Sequence, residues 1–173
     1  MNNWRVCVVI PTYNNASTLA SVVKGVAQYT PNIIVVNDGC TDGTDKLLAE
    51  SFPHIDVVTH NRNRGKGAAL LSAFKKAQQM GYTHAITIDA DGQHVPADLP
   101  LFFNGQSKFA NRFSNFWFAV QTGRRLPDTQ TGFRAYPLRL LRWLPMVTNR
   151  YESELALMVF AAWHNVPTIS IPI

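Results

Sequence analysis

The sequence predicts an α/β fold, a mostly parallel sheet flanked by helices. Two observations carry this. Four short apolar runs rich in Val and Ile alternate with stretches whose apolar residues recur at helical spacing. Each apolar run also ends in a polar loop, the pattern of a strand, crossover helix, parallel strand chain.

The first strand is expected over residues 5–10, closed by Pro11. Asn14, Asn15 and Ser17 are candidate N-caps for a helix whose inward face carries Leu19, Val22, Val23 and Val26. Residues 33–36 form the second strand. A polar loop over 37–43 leads into a short helix with Leu47 and Leu48 inward. Residues 55–58 form the third strand, followed by a basic, glycine-containing loop over 61–67. Leu70, Ala73, Phe74 and Ala77 mark the next helix, and Gly81 is a natural stop for it. The fourth strand, 84–88, breaks off into Asp89-Ala-Asp-Gly-Gln-His94.

The second half is less regular. Pro96 can start a short helix through Phe103. Phe109, Phe113, Phe116 and Trp117 share one helical face, which suits a core or a membrane-lying surface. Residues 128–136 pass from polar loop into strand, and 137–144 read as a helix ended by Pro145. A helix over 151–163 and a closing strand over 168–173 complete the chain.

Composition narrows the function classes. The chain has 173 residues, enough for one domain with a core. No apolar run approaches the roughly 20 residues that span a bilayer, and no secretory signal is visible. Cys7 and Cys40 make no disulfide framework, so a cytoplasmic setting is expected. The net charge of +5 suits phosphorylated ligands or an anionic surface, and equally a solvated basic face. No Cys/His cluster has zinc spacing. The glycines around Lys66 lack P-loop spacing, and no dinucleotide fingerprint follows the first strand. Paired carboxylates argue against a nucleic-acid partner.

In an extended chain Asp89 and Asp91 project to one side. Two carboxylates so close repel unless a cation lies between them, and oxygen donors suit Mg²⁺ or Mn²⁺ shared with substrate phosphates. The loops that follow the four strands fall on one sheet edge, where open α/β sheets bind ligands.

Six ordered stretches carry a resemblance: residues 10–14 (IPTYN), 36–44 (VNDGCTDGT), 63–69 (NRGKGAA), 89–94 (DADGQH), 128–134 (DTQTGFR) and 151–154 (YESE). Together the chain resembles the family 2 glycosyltransferases of GT-A, Rossmann-like fold, and among them the dolichyl- and polyprenyl-phosphate sugar synthases. The resemblance implies a single domain over 1–173, with a nucleotide-binding half to about 103 and an acceptor side from about 104. It implies a metal-dependent, inverting transfer from a UDP- or GDP-sugar to a lipid-linked phosphate. The alternative is a hydroxyl of a glycan or glycolipid in cell-envelope synthesis. Pro11, Tyr13, Asp38, Arg64, Gly65, Lys66 and Asp89 would bind the nucleotide-sugar. Asp89, Asp91 and Gln93 would hold the Mg²⁺ or Mn²⁺. Asp128, Arg134 and Glu152 would act on acceptor and transferred sugar. A lipid acceptor would bring peripheral contact with the inner face of the membrane.

A phosphate acceptor needs orientation and cations, because its second pKa is about 6. A hydroxyl acceptor needs a base, for which Asp128, Glu152 and Glu154 are candidates. The family pattern has a longer segment after the helix that begins near Pro96, and here Phe103 runs almost directly into Asn104. His94 can reach the metal or diphosphate. His54, His60, His84 and His164 read as turn, surface or packing residues.

Overall fold

The computed structural model describes residues 5–93, 96–100 and 133–143, together with Val159 and Trp163. Strand β1 (Val6–Thr12) is followed by helix α1 (Ala16–Ala27), β2 (Ile33–Asn37), α2 (Thr44–Ser51), β3 (Asp56–Thr59), α3 (Lys66–Gln79) and β4 (His84–Thr87). A 3-10 turn at Pro96–Asp98, strand β5 (Arg134–Pro137) and a 3-10 helix at Leu138–Trp143 complete the described elements.

The five strands form one sheet in the order β3-β2-β1-β4-β5. The β1–β2, β1–β4 and β2–β3 pairs are parallel, and β4–β5 is antiparallel. The chain thus winds outward from β1 in both directions, so the loops after β1 and β4 diverge over the sheet's carboxyl edge. This is the switch point at which such sheets open a crevice.

Alternation along the buried strands serves two cores. Val8, Ile10, Ile33, Val35, Ile86 and Ile88 pack with Leu19, Val22, Val23 and Val26 of α1 and Leu48 of α2. Cys7, Val9, Ile34, Val36 and Ala85 face the other way, onto Ala69, Leu70, Ala73, Phe74 and Ala77 of α3. Both faces are covered, which is why the strands read as unbroken apolar runs. Burial also pushes the Cys7 thiol up to about 12, although a backbone hydrogen bond works the other way. Phe74 meets the Tyr136 ring at 5.4 Å between centroids, tying β5 to the α3 face.

Four expectations need correction. Pro11 does not close β1, which continues through Thr12. The carbonyl of Val9 accepts the N–H of Ile88, so residues 9 and 11 turn their backbone polar groups toward β4. The β1–β4 ladder ends at Val9 opposite Thr87, and the missing N–H of Pro11 falls where no ladder bond is due. Strand β4 ends at Thr87, one residue short of the expected 88. The expected helix at 137–144 is a 3-10 helix over Leu138–Trp143. Helix α1 takes no side-chain cap from Asn15; a neighbouring loop supplies it, as described below. The expected elements at 109–117, 151–163 and 168–173 lie outside the described residues, apart from single positions in the second.

Candidate active site at the carboxyl edge of the sheet

Four loops meet above the carboxyl ends of β1, β2, β3 and β4, and side chains lock them together. Asn14 sits at a φ of 54°. Its Oδ1 accepts the Thr41 N–H at 2.8 Å, and its own N–H donates to Cys40 Sγ at 3.2 Å. Asp42 Oδ2 accepts the Ala16 N–H at 2.8 Å, capping α1 from the loop after β2. Slight desolvation works to raise the pKa of the exposed Asp42, but hydrogen bonds from the Thr44 hydroxyl and from backbone N–H groups outweigh it and lower it below 3.8.

Gly39 shows how closely the loops approach. Its φ is +73°, and a Cβ there would lie 2.3 Å from the Arg62 carbonyl carbon. Only glycine fits between the backbones of the two loops.

These loops wall a cavity of about 710 Å³. All seven residues expected to bind a nucleotide-sugar line it: Pro11, Tyr13, Asp38, Arg64, Gly65, Lys66 and Asp89. Asp91 joins them, with Thr12, Asn15 and Asn63. Tyr13 is 47% exposed, so its ring is available as a wall for a flat ligand. Gln93 is exposed and does not line the cavity; its N–H donates to Asp91 Oδ1 at 2.9 Å. Asp128, Glu152, His94 and Glu154 lie outside the described residues.

The charges are ordered. Lys66, at the first turn of α3, holds Asp89 Oδ1 at 2.7 Å, and both side chains are largely shielded. Asp91 is exposed two residues further on. The loop that bears both is anchored by Thr18 Oγ1 of α1, which donates to the Ala90 carbonyl at 2.6 Å. Asp38 is buried and satisfied by the loop after β3: Oδ1 accepts the Arg64 N–H at 3.0 Å and Oδ2 the Gly65 N–H at 2.9 Å.

The sequence reading missed His60 and Ser72. His60 is 8% exposed; its Nδ1 lies 2.5 Å from Asp38 Oδ1 and its Nε2 2.9 Å from Ser72 Oγ on α3. The available signal was position alone, a histidine directly after β3 on the ligand edge.

Arg134 opens β5, opposite Thr87 in the register, and its carbonyl accepts from the Thr87 hydroxyl at 3.4 Å. It does not line the cavity. Its two terminal guanidinium nitrogens are buried with no hydrogen-bond partner among the described residues.

The donor set fits a divalent ion of the Mg²⁺ or Mn²⁺ kind. Asp89 and Asp91 both offer carboxylate oxygens to the cavity. Among the described residues no group of three or more His, Cys, Asp or Glu is gathered for a metal. Two carboxylates are what Mg²⁺ takes from a protein when phosphates and water complete its shell.

A family profile described as glycosyl transferase family 2 matches residues 7–148. The chain belongs to glycosyl transferase family 2. It is 25% identical over 209 residues to a UDP-N-acetylglucosamine–dolichyl-phosphate N-acetylglucosaminyltransferase of Methanococcus voltae, covering 96% of this chain and 83% of that one. That alignment is longer than the 173 residues of this chain, so the relative has internal residues without a counterpart here. It is 29% identical over 171 residues to a polyprenol monophosphomannose synthase of Mycolicibacterium smegmatis, covering 79% of this chain and 63% of that one. A solved structure titled a mycobacterial protein superposes with a TM-score of 0.75 at 20% identity, over 95% of this chain and 63% of that chain. Mannosyl-3-phosphoglycerate synthase from Rubrobacter xylanophilus superposes at 0.59 and 19% identity, over 79% of this chain and 54% of that chain. This family 2 chain thus spans less than two thirds of either solved structure. The fold is GT-A, and the chain is a glycosyltransferase by family.

Proposed function

We propose that this family 2 chain moves a sugar from a nucleotide-sugar to a polyprenyl-type lipid phosphate, with inversion at the anomeric carbon and with a divalent ion in attendance. The observation that carries the acceptor is the buried guanidinium of Arg134, without a hydrogen-bond partner among the described residues, beside the strand that leads into Asp89. A guanidinium held out of water without a counter-charge costs several kcal/mol, and a phosphate oxyanion would offset that cost. The lipid-phosphate acceptors in the names of the Methanococcus and Mycolicibacterium relatives support the same reading.

The residues divide the work. Tyr13, Pro11 and Asp38 hold the nucleoside end, and Arg64, Gly65 and Lys66 lie along the diphosphate. Asp89 and Asp91 would hold Mg²⁺ or Mn²⁺, which when bound neutralises charge on the departing diphosphate. Lys66 adds a fixed positive charge at the same place. An ionised phosphate oxygen of the acceptor attacks the anomeric carbon from the face opposite the diphosphate. The glycosidic C–O bond to the acceptor forms as the C–O bond to the nucleotide breaks, and the nucleoside diphosphate leaves. No proton has to be removed from such an acceptor, so Asp128 and Glu152 would orient acceptor and sugar. The nucleotide-binding half extends to about residue 103 and the acceptor side follows it.

Among the described residues no helix is long and apolar enough to cross a membrane. A lipid acceptor's phosphate would lie at Arg134, with peripheral contact at the inner face of the membrane. Sugar transfer to undecaprenyl or dolichyl phosphate, followed with labelled UDP- and GDP-sugars, tests it. Arg134→Ala is expected to lower transfer at least tenfold while nucleotide binding stays within twofold. Transfer only to a glycan hydroxyl, with a rate that rises through a carboxylate pKa and collapses in Asp128→Asn or Glu152→Gln, would replace the lipid phosphate with the hydroxyl acceptor.

A further inference from the structure

His60 belongs to neither hydrophobic core, yet it is buried against the cavity-lining Asp38 and bonded at both ring nitrogens. Asp38 Oδ1 already accepts the Arg64 N–H, so it acts as an acceptor toward His60 as well, and Nδ1 carries the proton. The Ser72 hydroxyl, fixed on α3, then meets Nε2 and holds the ring in that orientation.

A carboxylate offers about four lone-pair directions. Among the described residues three on Asp38 are taken: two on Oδ1 by His60 and Arg64, one on Oδ2 by Gly65. Those residues leave one acceptor direction on Oδ2, and Asp38 lines the cavity. Guanine presents two adjacent donors, N1–H and the N2 amino group, which match a carboxylate with both oxygens open. Uracil presents one, N3–H. We propose that His60 is a positioning residue that occupies Asp38 Oδ1 and so restricts the donor to a pyrimidine nucleotide of the uracil type. The proposal rests on the reading of this cavity as the nucleotide-sugar site and adds the base class and the residue that sets it.

His60 variants separate this role from simple packing. In His60→Asn the side-chain amide can still donate from the position of Nδ1, while the bond to Ser72 is lost. In His60→Gln the amide reaches toward Ser72 and the donor to Asp38 is lost. The measurement is calorimetric titration of UDP and of GDP, each with Mg²⁺, into wild type, His60→Asn and His60→Gln, with a thermal melt of each protein. The expected result is UDP binding at least tenfold tighter than GDP in wild type, retained within threefold in His60→Asn. In His60→Gln the preference narrows to less than threefold. GDP binding as tightly as UDP in wild type, or His60→Gln keeping the full preference, overturns the proposal while leaving the donor site intact. Binding of neither nucleotide to folded wild type overturns the donor-site reading and this proposal with it.

Discussion

At the scale of single residues, the site is a set of charges arranged before any ligand arrives. Lys66 and Asp89 neutralise each other at 2.7 Å, so nucleotide and metal must share or displace that pair. Hydrogen bonds to charged groups contribute about 1.5–3 kcal/mol each. Lys66→Ala is therefore expected to weaken nucleotide-sugar affinity roughly 10- to 100-fold, with an unchanged fold by circular dichroism. Affinity equal to wild type would remove Lys66 from the diphosphate site. Asp38, Asp89 and Asp91 stand out in the sequence because they follow apolar runs, and residues 64–66 because their loop is basic and glycine-containing. His60 was not, because a single histidine carries no periodicity. Its partners Asp38 and Ser72 are 22 and 12 residues away, and only the fold brings them together.

At the scale of elements, the loops hold the site by gripping one another. Asp42 caps α1 across 26 residues, and its carboxyl pKa is lowered in the fold. A lowered acid pKa means stabilisation that is complete above the unfolded value near 3.8 and lost as pH falls through the folded value. Asp42→Ala should therefore melt below wild type at pH 7, and the gap should shrink in melts taken below pH 3.8. Gly39→Ala forces a side chain at positive φ into the Arg62 backbone. It is expected to cost about 1–3 kcal/mol in urea unfolding and to loosen the nucleotide site. Periodicity located these elements well, since buried parallel strands and amphipathic helices leave clear patterns. It gave the parallel direction of the first four strands but none for the last, so the antiparallel β5 and the continuation of β1 past Pro11 emerged only from the ladder. Nor did it separate a six-residue 3-10 helix from an α-helix at 138–143.

At the scale of the whole molecule, one sheet gathers the site. The parallel strands β1, β2, β3 and β4 deliver the cavity loops to one edge, and β5 brings Arg134 to the same edge from the antiparallel side. Phe74 ties α3 to β5 through Tyr136. Phe74→Ala is expected to cost about 3–5 kcal/mol in urea unfolding, and to impair the acceptor side through β5 before it affects nucleotide binding. The class of the fold follows from the alternation of runs and loops. The proposed donor and acceptor rest on lone-pair counts at Asp38 and on the Arg134 guanidinium, which has no partner among the described residues, and no linear pattern encodes either.

The proposed donor site binds a nucleotide-sugar through Asp89 and Asp91 with a divalent ion, and calorimetry of UDP- and GDP-sugars, with and without Mg²⁺ or Mn²⁺, on wild type and Asp91→Ala tests it. Metal-dependent binding of one donor class that falls at least tenfold in the variant is the expected result. Binding that ignores the metal and survives Asp91→Ala would overturn the donor site.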